Sequence, residues 1–198
     1  MKYFILCGFI ALALFGSAIA GDYAPAADGG IKATLSAGTN NIGNVGGKTV
    51  SVCVAPTVTA SNAYGANYVV GGLLTFANAY TSTGTGILQG ISVNMKKVES
   101  VTFTFWPFSV NPSNTTWTDA AVANINAADV TAVRSPITLS CNSGLGTMSN
   151  CSADGIGMAM ALGATSLYGV LTVSAALTNN FSATTDVPSV CVKILQDL

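Results

Sequence analysis

Apolar and small polar residues alternate along most of the chain after Lys48, the two-residue period of a strand with one face buried. "TVSVCVAPTVTAS" (Thr49 to Ser61) shows it first. "NYVVGGLLTFANA", "GILQGISVNMKKV" and "SVTFTFWPF" follow, and in the last Val101, Phe103 and Phe105 alternate with Thr102, Thr104 and Trp106. "RSPITLS", "GIGMAMALG", "SLYGVLTVSAAL" and "VPSVCVKILQD" complete about eight strand-like segments. Turn signals separate them, most clearly "SVNPSNTTWT" around Pro112. "DAAVANINAADV" (Asp119 to Val130) is the one helix candidate, with Thr118 or Asp119 to cap it. The pattern predicts an all-β domain over 49–198: an antiparallel β-sandwich or jelly roll of about eight strands with one short helix.

The chain ahead of this domain reads differently. "MKYFILCGFIALALFGSAIA" has one lysine, an apolar run and an Ala-x-Ala ending. Residues 1–20 therefore read as a signal peptide cut after Ala20, with a retained anchor as the alternative although the run is short for a membrane span. Residues 21–48 are rich in Gly, Ala, Asn and Asp with isolated apolar positions, and read as an extended assembly arm or linker. Within it, Ile42 and Val45 lie on a glycine-jointed stretch that cannot bury them within one chain. Burial would follow if the arms of two or three subunits wound together or lay across a neighbour.

Composition narrows the function. Only 8% of the 198 residues are charged and the formal net charge is −1, so no basic field exists to hold nucleic acid. There is no histidine, which removes Ser-His-Asp and Cys-His nucleophiles and histidine metal sites. No cofactor or metal site is expected, because no C-x-x-C pair or phosphate-binding loop is present. The carboxylates Asp119, Asp129, Asp154 and Asp186 each lie near a turn or helix end, where Asp caps or bends the backbone. Without a signal peptide, Cys53, Cys141, Cys151 and Cys191 remain, an even set suited to disulfides in an oxidising compartment. Three connectivities are open. Cys141 and Cys151 bracket a glycine-containing loop, whereas Cys53 and Cys191 lie in strand-like segments at opposite ends of the domain. Four buried free thiols are the alternative. Of the two tryptophans, Trp106 reads as core packing at a strand end, and Trp117, in a polar loop, as core or as a stacking face for a sugar.

Several phrases in order carry a resemblance: Tyr64 or Tyr68 ahead of Val69 to Gly72, the stretch from Phe108 through Asp119, Leu167 with Tyr168, and Leu195 through Asp197. Over roughly Val54 to Leu198 the chain resembles small β-rich structural proteins encoded in tailed-phage genomes. "GTNNIGNV" in the arm is similar to a phrase that recurs in phage tail, collar and decoration proteins. The resemblance implies a non-enzymatic virion or surface structural subunit that self-associates, as a trimer, and attaches to neighbouring virion or surface proteins. The signal-like N-terminus and the cysteines depart from that family and point to an exported form, with host glycan a further partner. The rival expectation is a secreted carbohydrate-binding module acting alone through Trp117.

Overall fold

A computed structural model of the chain describes residues 23–25, 31–33, 47–59, 63–82, 84–97, 99–161, 164–177, 180–181 and 186–196. The expected signal peptide, Ile42, Val45 and most of the arm lie outside the described residues. Within the arm, β1 (Tyr23–Pro25) pairs antiparallel with β2 (Ile31–Ala33).

Among the described residues the domain has eight strands: β3 (Lys48–Val54), β4 (Val69–Phe76), β5 (Thr85–Met95), β6 (Thr102–Phe108), β7 (Ile137–Leu145), β8 (Met148–Ala161), β9 (Leu167–Val173) and β10 (Ser189–Gln196). One falls in each segment that alternation marks. They form a single antiparallel sheet in the order β3-β10-β5-β8-β7-β6-β9-β4. The fold is all-β, as the pattern requires, and its layers are the two halves of one sheet curled around its own apolar face.

That face is filled by alternate residues of the strands: Phe76, Leu88, Val93, Phe103, Phe105, Leu139, Leu171, Val190, Val192 and Ile194 are completely buried. Phe105 lies directly on Gly169 of the adjoining strand, where a Cβ would collide with its ring. Phe76 meets Phe105 edge-on at 6.0 Å. The absent side chain thus makes room for a large one in the neighbouring strand.

The helix is displaced and of another kind. A 3-10 helix spans Ala127–Ala132, capped by Asn126, whose side-chain oxygen accepts from the Ala128 N–H. Asp119 does not cap a helix, because its carboxylate takes long-range donors: Thr59 N (2.6 Å), Tyr64 Oη (2.7 Å) and Gly71 N (2.7 Å). Ala120 has φ of 54°, and residues 120–123 bond to the backbone of Asn67 and Val69. The Asp119 to Ile125 half of the candidate helix is thereby drawn out along β4.

Both disulfides form, Cys53–Cys191 and Cys141–Cys151. Each joins residues directly opposite in adjacent antiparallel strands. Cys141 and Cys151 do not bracket an open loop. β7 and β8 run on towards each other as a hairpin that turns at Gly146, whose φ is +67°. Two disulfides are compatible with an extracellular or otherwise oxidising compartment.

Candidate functional site

The outer face of the sheet differs between its two halves. Over β4, β6 and β9 it is apolar and covered. Val69, Phe108 and Val170 point outward there and are buried with Ala132, while Leu73, Trp106, Trp117, Ala123, Ile125, Val133 and Tyr168 pack around them. The connection from Ser109 to Pro136 supplies the cover. Asp119 fastens its middle to β4 and to Tyr64, whose phenol is pushed well above its ordinary range by burial and then by the hydrogen bond and charge of Asp119. Asp129 fastens a second point, accepting from Asn114 Nδ2 (2.9 Å) and Thr115 Oγ1 (2.7 Å). The Thr115 bond, opposed by desolvation and aided by bonds from Asn114, holds the Asp129 carboxyl below its usual value.

The cover leaves a cavity of about 120 Å³ lined by Trp106, Phe108, Trp117, Ala123, Ile125 and Val133, almost wholly apolar. Trp106 donates through Nε1 to Thr172 Oγ1 (3.1 Å), which fixes its ring. Trp117 packs on Phe108 with ring centres 5.5 Å apart. Its buried Nε1 has no hydrogen-bond partner among the described residues. Val110, Val122 and Val130, on the same connection, are all more than half exposed.

The sequence placed Trp106 in the core and left Trp117 open between core and ligand face. Both tryptophans are half-buried and share one outer pocket. The alternation of "VTFTFW" already set Trp106 on the face opposite Phe103 and Phe105. The partners Ala123, Ile125 and Val133 gave no comparable signal, because they belong to irregular chain.

Over β3, β10, β5 and β8 the outer face is polar. A groove of about 290 Å³ is lined by Ser51, Gly90, Ser92, Asn150, Ser152, Asp154 and Lys193 together with Cys191. Gly90 forms its floor, with Asp154 Oδ1 2.8 Å from where a Cβ would stand. Asp154 lies within β8, not at the turn expected of it. Asn150 donates to Asn94 Oδ1 at 2.6 Å on the same face. The Cys53–Cys191 disulfide faces outward beside this groove. Cys151 faces inward and is buried in the main core.

Among the described residues, no group of three His, Cys, Asp or Glu is placed to hold a metal ion. No helix there is long and apolar enough to cross a membrane. The chain matches no protein-family model and no curated protein.

Proposed function

We propose that this chain is a non-enzymatic structural subunit of a virion or an exported surface assembly, working by self-association and attachment. The observation that carries the reading is the tryptophan-lined pocket. Its 120 Å³ compares with the roughly 150 Å³ of an apolar cavity that accepts benzene, so it suits the end of one branched aliphatic side chain. A pocket that receives an apolar anchor, beside exposed valines, is the arrangement of a protein docking site. A sugar would lose its hydroxyl hydrogen bonds in walls of this kind, because burying a polar group unpaired costs about 1–3 kcal/mol. The test is to fill the pocket with Ala123→Leu and measure attachment of the chain to its purified particle or surface by co-sedimentation. Attachment should fall at least tenfold with the fold retained, and unchanged attachment would remove the pocket from the reading.

The secreted carbohydrate-binding module remains the second reading, favoured by the polar groove rather than by Trp117. Ser51, Ser92, Ser152, Asn150, Asp154 and Lys193 offer donors and acceptors of the kinds that hydroxyl groups bond. A glycan screen with Asp154→Ala as control separates the two: a glycan bound by the parent and lost in the variant would favour this second function.

A further inference from the structure

The two edges of the sheet are built differently. At β4 the register breaks between Val69 and Leu73, where Gly71 and Gly72 have φ of 72° and 84°. The outward N–H of Gly71 is taken by Asp119, and Val69 exchanges backbone bonds with Ala120 and Ala121. Bulging and covering in this way are how a sheet edge is kept from pairing with another chain.

β3 has none of these devices. Its register with β10 is unbroken from Lys48 to Val54, it contains no Pro or Gly, and its one charge is at the first residue. The Cys53–Cys191 bond holds it to β10, so it cannot peel away. Among the described residues it pairs with β10 only. Its core-facing Val50, Val52 and Val54 are only half-buried, whereas Val190, Val192 and Ile194 beside them are completely buried. Among the described residues the strand is tied to β10, carries no bulge, Pro or internal charge, and is short of apolar cover on one side.

We propose that β3 pairs antiparallel with β3 of a second copy about a two-fold axis through Ser51, continuing the sheet from one subunit into the next. This deepens the self-association in the proposed function and rests on that part of it. Side-chain matching selects the register. Centring on Ser51 pairs all seven residues and sets Val50 against Val52, Thr49 against Cys53, and Lys48 against Val54. A one-residue slip would set core-facing residues against outward ones. Charge permits the same register. The two Lys48 stand at opposite ends of the contact, about 20 Å apart at the usual rise per residue, and the two Lys193 lie three strand spacings apart, about 14 Å, both beyond a Debye length at physiological salt.

The test uses the full chain with its disulfides formed, in sedimentation velocity over a range of concentrations. The parent should sediment as two copies. Ser51→Lys sets two ammonium groups face to face on the axis and should weaken association at least tenfold. Ser51→Cys should join to itself as a covalent dimer under mild oxidation, because residues opposite on a two-fold strand pair lie within disulfide range. Ser92→Cys, on the same face of the central strand β5, should not. A dimer that Ser51→Lys leaves intact, or an assembly of three copies, overturns β3 pairing while leaving self-association standing. A single copy at every concentration overturns both, and leaves attachment through the tryptophan pocket to be judged by its own assay.

Discussion

Removing the carboxylate of Asp119 should destabilise the domain far more than an exchange at a half-exposed loop residue normally does. Oδ1 accepts from Tyr64 Oη and Gly71 N, and Oδ2 from Thr59 N, three donors contributed by segments 48 to 60 residues away. Bonds to a charged acceptor contribute about 1.5–3 kcal/mol each. The Thr59 N–H is exposed, so water replaces its partner at little cost. The Tyr64 hydroxyl and the Gly71 N–H are partly buried, and Asp119→Ala leaves both unpaired. Two such losses amount to about 3–6 kcal/mol, a large fraction of the 5–15 kcal/mol of a typical domain. Asp119→Asn separates the contributions. Its carbonyl oxygen can occupy the Oδ1 position and keep the two partly buried donors, turning the amide towards the exposed Thr59, so its loss should be nearer 1–2 kcal/mol. Urea unfolding followed by tryptophan fluorescence, with disulfides intact, measures both. The assay suits the question because Trp117, two residues away, lies in the segment that Asp119 pins. A loss below about 1 kcal/mol in the alanine variant, the range of ordinary surface exchanges, would refute the claim that this carboxylate fastens the cover to the sheet.

Other consequences follow from the same geometry. Gly169→Ala should cost about 1–3 kcal/mol by denaturant unfolding, because a Cβ there meets the fixed ring of Phe105. The Cys53–Cys191 bond closes a separation of 138 residues and Cys141–Cys151 one of 10, for which chain entropy gives about 5 and about 3 kcal/mol. Replacing the first pair by alanine should therefore lower the unfolding midpoint more than replacing the second. Asp129 titrates below its unfolded value when folded, so its stabilisation is complete above the unfolded carboxylate pKa and is lost as pH falls through the folded one. Thr115→Val removes the largest cause of that shift, and its stability should fall less steeply than the parent's in unfolding series taken between pH 5 and pH 2.

Much of the fold is legible in the sequence because it depends on local alternation. Each of the eight strands overlaps a segment where apolar and small polar residues alternate, although β7 and β8 run on through the stretch between Cys141 and Cys151 that reads as a loop, and Phe103 against Trp106 even shows which side chain faces which way. The helix is misplaced for a physical reason: alanine propensity and an available Asp are local preferences, and Asp119 gains more from three distant donors than from capping. The site is poorly legible because its pocket arises where irregular chain crosses a sheet face. Ala123, Ile125 and Val133 share no period, and only the closed structure brings them to Trp106 and Phe108.

The division of the outer face gives the molecule a direction. Strands β4, β6 and β9 carry apolar residues on both faces, since the Ser109 to Pro136 connection packs over Val69, Phe108 and Val170 and keeps β4 from exposing a regular edge. Strands β3, β10, β5 and β8 are buried on one face, and both disulfides fall in the run from β3 to β7, on the side away from the cover. A half-sheet with less apolar burial gains most from covalent ties, because those ties restrict the unfolded chain without needing a second layer. It is also the half whose edge strand keeps an unbroken register with its neighbour and, among the described residues, is short of apolar contact. The cross-links hold β3 in a conformation ready to pair, so the ordering cost of that strand has been met before a second copy arrives. The covered half supplies the apolar pocket, so the proposed attachment site and the proposed self-pairing edge lie on different parts of one curled sheet. Pocket filling and edge charging should accordingly act independently. Ala123→Leu should leave sedimentation unchanged, Ser51→Lys should leave attachment of the single subunit unchanged, and the double variant should show in each assay the loss of the corresponding single variant within about 0.5 kcal/mol.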